Sequence, residues 1–141
     1  MREYRPADMS VIVNGQVISG FAEGTFITVE RDEDAYTYAP STSGGGTRVK
    51  NANKAGKITI VLNQTSPSNQ VFSDALKNDE ENNQGVFPVL IRDNSGVDVH
   101  KSESSYIAKF PSTQYAKENS TREYVIQCEN LDMSVGGNPT L

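Results

Sequence analysis

Short runs in which apolar and polar residues alternate make up most of this chain, and alternation with a period of two predicts strands with one buried face. The first two runs, Ser10–Val13 and Gln16–Ser19, flank Asn14-Gly15. Asn-Gly between apolar runs predicts a tight hairpin, because both central residues of a type I′ turn need positive φ. Further strands are predicted over Thr25–Glu30, Tyr36–Tyr38, Lys57–Asn63, Val86–Arg92, Val97–Lys101, Ser105–Phe110 and Arg122–Glu129. Pro88 indicates that its run is an edge strand or contains a β-bulge.

One segment has the periodicity of a helix instead. Its apolar residues fall at i, i+1, i+4 and i+5 and form one stripe: Val71, Phe72, Ala75 and Leu76. Ser66 is the predicted N-cap and Pro67 the first helical residue, where the missing N–H costs nothing. The polar run that begins at Asn78 is predicted to be an exit loop. We therefore expect a single helix over about residues 67–77.

Residues 40–57 follow neither pattern. Pro40–Thr47 is rich in Gly and Ser and is predicted to hold no regular element. Four basic residues follow without an acid among them: Arg48, Lys50, Lys54 and Lys57. A phosphate-binding loop needs Lys and then Ser or Thr directly before a helix, whereas Thr47 leads into a strand pattern. The segment is predicted to be a long loop or hairpin arm, which in a small domain is usually functional or disordered.

Many short strands, regularly spaced turns and one helix predict a mainly β fold, a small barrel or sandwich that the helix flanks. The length of 141 residues indicates one domain. No signal peptide is expected at the start, and the longest apolar runs have only a few residues, so we expect no membrane insertion and synthesis in the cytoplasm. The tail from Val135 onward is expected to be loose.

The composition argues against catalysis. One Cys and one His allow neither an intramolecular disulfide nor a four-ligand zinc site, and they leave little room for a catalytic triad. We interpret His100 as a surface strand residue, and Cys128 as a small buried hydrophobe on the same face as Ile126. The net charge of −5 counts against a dedicated nucleic-acid binder. No enzyme activity, metal or cofactor is expected.

A β domain with a long basic arm and no catalytic constellation is typical of a building block. Sheet edges and projecting arms commonly mediate assembly, and head-to-tail contacts that close make rings, which can stack into a tube. Segments of opposite charge are our candidates for setting the stacking register. The candidate inter-subunit residues are the bases Arg48, Lys50, Lys54 and Lys57 and the acids Asp32, Glu33, Asp34, Asp79, Glu80 and Glu81.

Three stretches resemble the tail tube proteins of contractile-tailed bacteriophages, which are related to tube proteins of type VI secretion. The opening residues 11–34 are similar to the opening of that family. More specific is a strand that ends in Leu-x-Gln-Thr-Ser-Pro-x-Asn, here residues 62–69, and runs into one helix. Tyr115–Glu118 followed by Arg122–Tyr124 is also similar. The resemblance covers nearly the whole chain.

The resemblance implies hexameric rings that stack into the inner tail tube of a virion. The implied partners are further copies of the chain, a tail sheath protein, a tape-measure protein and a baseplate hub or tail initiator. DNA is expected to pass through the lumen without specific binding, and an acidic wall would repel it. The arm at 40–57 and the N-terminal residues 1–10 are expected to make contacts between rings. The alternative is a monomeric virion decoration or carbohydrate-binding domain, but the absence of Trp favours assembly.

Overall fold

Antiparallel pairing in the computed structural model, which describes residues 9–94 and 98–136, builds one large sheet and one separate hairpin. The elements are β1 (Met9–Val13), β2 (Gln16–Val17), β3 (Ile27–Arg31), β4 (Tyr36–Pro40), β5 (Gly46–Lys50), β6 (Gly56–Asn63), α1 (Asn69–Asn82), β7 (Phe87–Asp93), β8 (Val99–Ile107), β9 (Thr121–Cys128) and β10 (Asp132–Ser134). The large sheet has eight strands in the order β2-β1-β7-β8-β9-β6-β3, and β10 pairs with β8. The hairpin consists of β4 and β5.

The large sheet curls around one hydrophobic core. Val11 of β1 and Ile91 of β7 lie in the same buried cluster as Ile60 of β6 and Ile126 of β9, so the two halves of the sheet face each other. Among the described residues, β2 and β3 are the edge strands and each is paired on one side only, so the strands do not close into a barrel. The predicted mainly β sandwich with one flanking helix is confirmed, and the barrel alternative is not.

Helix α1 covers one side of the core through Phe72, whose ring stacks on Tyr124 with 4.5 Å between centroids. It begins two residues later than predicted, because the Ser66 hydroxyl bonds the Ser19 carbonyl at 2.5 Å and Ser68 takes the N-cap position. The predicted end near residue 77 is also wrong. The polar residues continue the helix, with Asn82 donating to the Asn78 side chain at 2.9 Å. The helix ends where Asn83 adopts the left-handed conformation.

Several predicted strands are confirmed. Asn14 and Gly15 both have positive φ, 52° and 79°, as the predicted hairpin turn requires. The register of β7 against β8 shifts between Phe87 and Val89, so Pro88 marks a bulge. Since β7 pairs with β1 on one side and β8 on the other, it is not an edge strand.

The prediction of two strands over 97–101 and 105–110 is wrong. One strand, β8, runs from Val99 to Ile107, while residue 97 lies outside the described part of the chain. The polar residues at its centre do not interrupt the strand, because Ser102 and Ser105 are buried and the Ser105 hydroxyl donates to the Ser102 hydroxyl, with 2.8 Å between the oxygens. The short strand β10 was not predicted. Of the tail, only Val135 and Gly136 lie within the described residues.

Candidate assembly surfaces

A hairpin arm, formed by β4 and β5, leaves the sheet between β3 and β6. Every residue of both strands is exposed, and their register runs from Tyr36 opposite Lys50 to Pro40 opposite Gly46. The arm is thus a hairpin rather than a loop, and it begins earlier than predicted. The expectation that Pro40–Thr47 holds no regular element is corrected: only residues 41–45 form the turn. Pro40 is tolerated because it ends an exposed strand.

The two faces of the arm differ in chemistry. Residues directly opposite each other in an antiparallel pair share a face, so Tyr36, Tyr38, Arg48 and Lys50 lie together. The Arg48 guanidinium lies 4.1 Å from the centroid of the Tyr36 ring, a cation–π contact. Tyr38 is 72% exposed. All four residues of this aromatic–basic face are exposed.

At the base of the arm, the predicted acids and bases partly satisfy each other within one subunit. Lys57 Nζ lies 3.8 Å from an Asp32 carboxylate oxygen, and Gln127 donates to Asp32 at 3.0 Å. Glu33 accepts a 2.5 Å hydrogen bond from Asn51. Among the described residues, Arg48, Lys50, Lys54 and Asp34 make no ion pair. Their charges are therefore available to another molecule.

The third charged segment, Asp79–Glu81, lies in the last turn of α1. Asp79 accepts the Gly85 N–H at 3.3 Å, while Glu80 and Glu81 are exposed and make no ion pair in the part of the chain that the structure describes. This turn has no basic residue. Carboxylates at a helix C-terminus face the negative end of the helix dipole, which is unfavourable until a cation approaches.

Residues 63–69, which belong to the motif that carries the family resemblance, form a hydrogen-bonded latch between β6 and α1. The Asn69 amide nitrogen contacts the carbonyl oxygens of Asn63 at 3.0 Å, Gln64 at 3.2 Å and Ser66 at 2.9 Å. Its oxygen accepts the Tyr124 hydroxyl at 2.8 Å. The latch therefore fixes the first turn of α1 against β9.

The same latch also holds the loop that follows β2. The Ser19 N–H donates to the Ser68 hydroxyl at 3.0 Å, and the Ser66 hydroxyl bonds the Ser19 carbonyl. Gly20 has φ +76°, and a Cβ there would lie 2.6 Å from the Ser66 side chain. These contacts give the quoted motif a structural role that its sequence pattern did not reveal.

A cavity of about 460 Å³ is lined by residues of β3, β7, β8 and β10. Apolar side chains from β3, β7 and β10 line it, among them Val29, Ile91 and Met133. His100 is buried at its wall, and the Nδ1 atom has no hydrogen-bond partner among the described residues. Burial lowers the pKa of His100, opposed by the charge of Asp98. The prediction of a surface histidine is wrong, because His100 lies opposite buried Ile91 and shares its face.

Cys128 is fully buried on the same face of β9 as Ile126, which confirms the sequence-based interpretation. Burial raises the pKa of its thiol, so the reactive thiolate is disfavoured. Within residues 9–94 and 98–136, no group of three metal-ligating side chains is close enough to hold an ion. No helix in this part of the chain is long and apolar enough to cross a membrane.

Arg122 is a candidate functional residue that was not among those predicted. It precedes Tyr124 and Ile126 on the inward face of β9, and its Nε atom is buried without an acceptor in the described residues. The period-two pattern contained a signal for this, because it places a cation on a face that is otherwise buried. Arg122 lines a cleft with Gln70 and Ser73 of α1 and with Phe110, which is 39% exposed.

Solved structures show where this fold recurs. A chain of the sheath–tube complex of the extracellular contractile injection system PVC, in its extended state, superposes with a TM-score of 0.64 at 10% identity, covering 94% of this chain and 91% of that one. The tube-terminating cap of the anti-feeding prophage superposes with a TM-score of 0.60 at 10% identity, covering 95% and 92%. The fold is therefore one found among subunits of contractile injection systems.

The chain itself belongs to the family described as Bacteriophage PhiTE tail tube protein, which it matches over residues 8–136. It is also 34% identical over 143 residues to Structural protein ORF10 of Pseudomonas phage KPP10, covering 96% of this chain and 83% of that protein. The resemblance to phage tail tube proteins is confirmed. The chain is a structural protein of a phage tail, and its place is in the virion.

Proposed function

We propose that copies of this chain assemble into hexameric rings that stack into the inner tube of the tail, through which DNA reaches the host. The observation that carries the proposal is the exposed arm. A two-stranded hairpin is marginally stable by itself, and every residue of β4 and β5 is exposed. A neighbouring subunit that covers the aromatic–basic face would remove Tyr38 from water.

Charge supports the same proposal. The bases Arg48, Lys50 and Lys54 have no acidic partner in their own subunit among the described residues, so they are free to contact Asp34 or the acidic helix end of a neighbouring ring. Such exposed pairs contribute little energy individually but set the register between rings. The N-terminal residues 1–8, proposed to add contacts between rings, lie outside the described part of the chain.

The proposed tube also implies how its lumen interacts with DNA and which proteins contact it. A chain of net charge −5 gives a tube wall that repels DNA on average and lets it slide. We propose that a sheath protein surrounds the tube, since one structural relative comes from a sheath–tube complex. A tape-measure protein inside the lumen and a baseplate hub or tail initiator at one end complete the proposed assembly.

The first test is negative-stain electron microscopy of the purified chain across a series of protein and salt concentrations. We expect rings or tubes with a uniform lumen, and fewer of them at high salt. A chain that stays monomeric in every condition, also after isolated baseplates are added, would contradict the proposal and favour a decoration domain.

Two variants test the arm. Tyr38→Ser removes the most exposed aromatic side chain of the aromatic–basic face and should abolish stacking. Thr37→Ser, on the opposite face, is the matched control and should stack normally.

Reversal of Lys50 and Lys54 to Glu tests the charges. Tubes that form equally well with both lysines reversed would refute the proposed electrostatic register.

A further inference from the structure

A cleft of about 380 Å³ beside the first turns of α1 has an electrostatic character unlike the rest of this acidic chain. Its wall includes Gln70 and Ser73 of α1, Phe110 and Thr113 of the segment before β9, and Arg122 of β9 itself. None of the described residues that line it is acidic. Asp74 accepts a 2.6 Å hydrogen bond from Gln70 but does not line the cleft.

One nitrogen of the cation in the cleft lacks an acceptor among the described residues. Arg122 makes no ion pair with any described residue, and its Nε atom is buried without a hydrogen bond. A guanidinium stays charged at all relevant pH values and offers five N–H donors in a fixed plane. Removing part of it from water is unfavourable unless an acceptor replaces the lost solvent. The complementary ligand is a carboxylate, which a guanidinium binds through two parallel hydrogen bonds.

The helix terminus does not contribute this positive charge. The N–H groups of Asn69, Gln70 and Val71 already donate to carbonyl oxygens in residues 66–68. Arg122 is therefore the group that selects the ligand.

We propose that the carboxylate comes from a second copy of this chain, from Glu80 at the far end of α1. This inference rests on the proposed self-assembly and specifies one of its contacts. Glu80 is exposed in a turn that has no basic residue, where the helix dipole disfavours a negative charge. An arginine from a neighbouring subunit relieves that repulsion.

The cleft of Arg122 and the Glu80 carboxylate lie along the same side of α1. Ser73 lines the cleft, and Glu80 follows it by two helical turns on the same face, about 10 Å farther along the axis. Donor and acceptor thus lie at opposite ends of one helix face. Two complementary groups on one helix face pair reciprocally in a two-fold dimer or head to tail in a ring, and the proposed rings require the head-to-tail arrangement, which closes when the rotation between subunits closes. Asp34 then remains as a partner for the basic arm between rings.

The test exchanges the charges of Arg122 and Glu80. Sedimentation and electron microscopy then measure the critical concentration for ring formation. Arg122→Glu and Glu80→Arg should each raise that concentration about tenfold or more. The double variant Arg122→Glu with Glu80→Arg should restore it to within about threefold of the wild type. The control pair Arg122→Glu with Glu123→Arg has the same net charge and should not restore it, because Glu123 points outward from β9.

A second comparison covers the case in which Arg122→Glu fails to fold, judged by circular dichroism at low concentration. Glu80→Arg and Glu81→Arg change the same charge on adjacent positions of α1, about 100° apart around its axis. Glu80→Arg should impair rings more strongly. Equal behaviour of these two variants, or of the two double variants, would overturn the inference while wild-type rings leave the proposed function intact. A wild-type chain that never forms rings would refute both.

Discussion

Replacing Asn69 by Ala should be among the most damaging single polar substitutions in this protein. The amide has two hydrogens for three carbonyl oxygens between 2.9 and 3.2 Å, so it makes about two full hydrogen bonds. Each contributes about 1 kcal/mol, and the Tyr124 hydroxyl, left buried without its acceptor, costs about 1–3 kcal/mol more. We expect Asn69→Ala to lower the free energy of unfolding by at least about 3 kcal/mol, or Tm by about 10 °C.

Urea denaturation followed by circular dichroism, at a concentration below assembly, measures this effect. Tyr124→Phe alone should cost about 1 kcal/mol, and the double variant should cost less than the sum of the singles because both remove one hydrogen bond. Gln70→Ala is the matched control, since Gln70 is exposed, and it should change stability by less than about 0.5 kcal/mol. An Asn69→Ala protein within about 0.5 kcal/mol of the wild type, or strictly additive costs, would refute the latch.

Three further predictions concern the stability of the fold. Gly20→Ala should lower Tm much more than Gly24→Ala: both positions have positive φ, +76° and +81°, but only at Gly20 does a Cβ meet another side chain, at 2.6 Å from Ser66. Phe72→Ala, in a fully buried position, should cost about 3–5 kcal/mol in urea denaturation. Burial holds the folded-state pKa of His100 below the ordinary 6.5, so the contribution of this histidine to folding stability is fully present above pH 6.5 and is lost as pH falls through the folded-state pKa. Replacing His100 by Gln removes this pH dependence. Between pH 7.5 and 5.5 the urea midpoint of His100→Gln should therefore fall less than that of the wild type.

The strands with one buried and one exposed face were predictable because their pattern records burial directly. In β6, Ile58, Ile60 and Leu62 alternate with polar or half-exposed residues, and the predicted and observed bounds differ by one residue. In β8 this rule fails. Ser102 and Ser105 are buried although polar, because the Ser105 hydroxyl donates to the Ser102 hydroxyl and the Ser102 hydroxyl donates to the Ser104 carbonyl, and hydropathy cannot reveal such bonds.

The candidate surfaces were predictable in composition but not in geometry. Charge runs identified the basic arm and the acidic segments, since these are local features of the chain. The pairing of Asp32 with Lys57 depends on the register of β3 against β6, which places residues 27–31 opposite 56–60. The unpaired state of Arg122 likewise depends on which elements surround it. Both are properties of long-range contacts that a single sequence does not specify.

The arm connects stability to assembly in the proposed tube. Within the described part of the chain its five-residue strands pair only with each other, and the Arg48–Tyr36 contact contributes about 0.5–1 kcal/mol at such an exposed site. Ordering each backbone residue costs about 1–2 kcal/mol, so an arm without neighbours is barely held in place. When a ring docks on an existing ring, several arms become ordered in the same event. When two free subunits pair, only one arm becomes ordered. Growth on an existing ring is therefore favoured over the pairing of free subunits, which makes a preformed end the natural starting point for the tube.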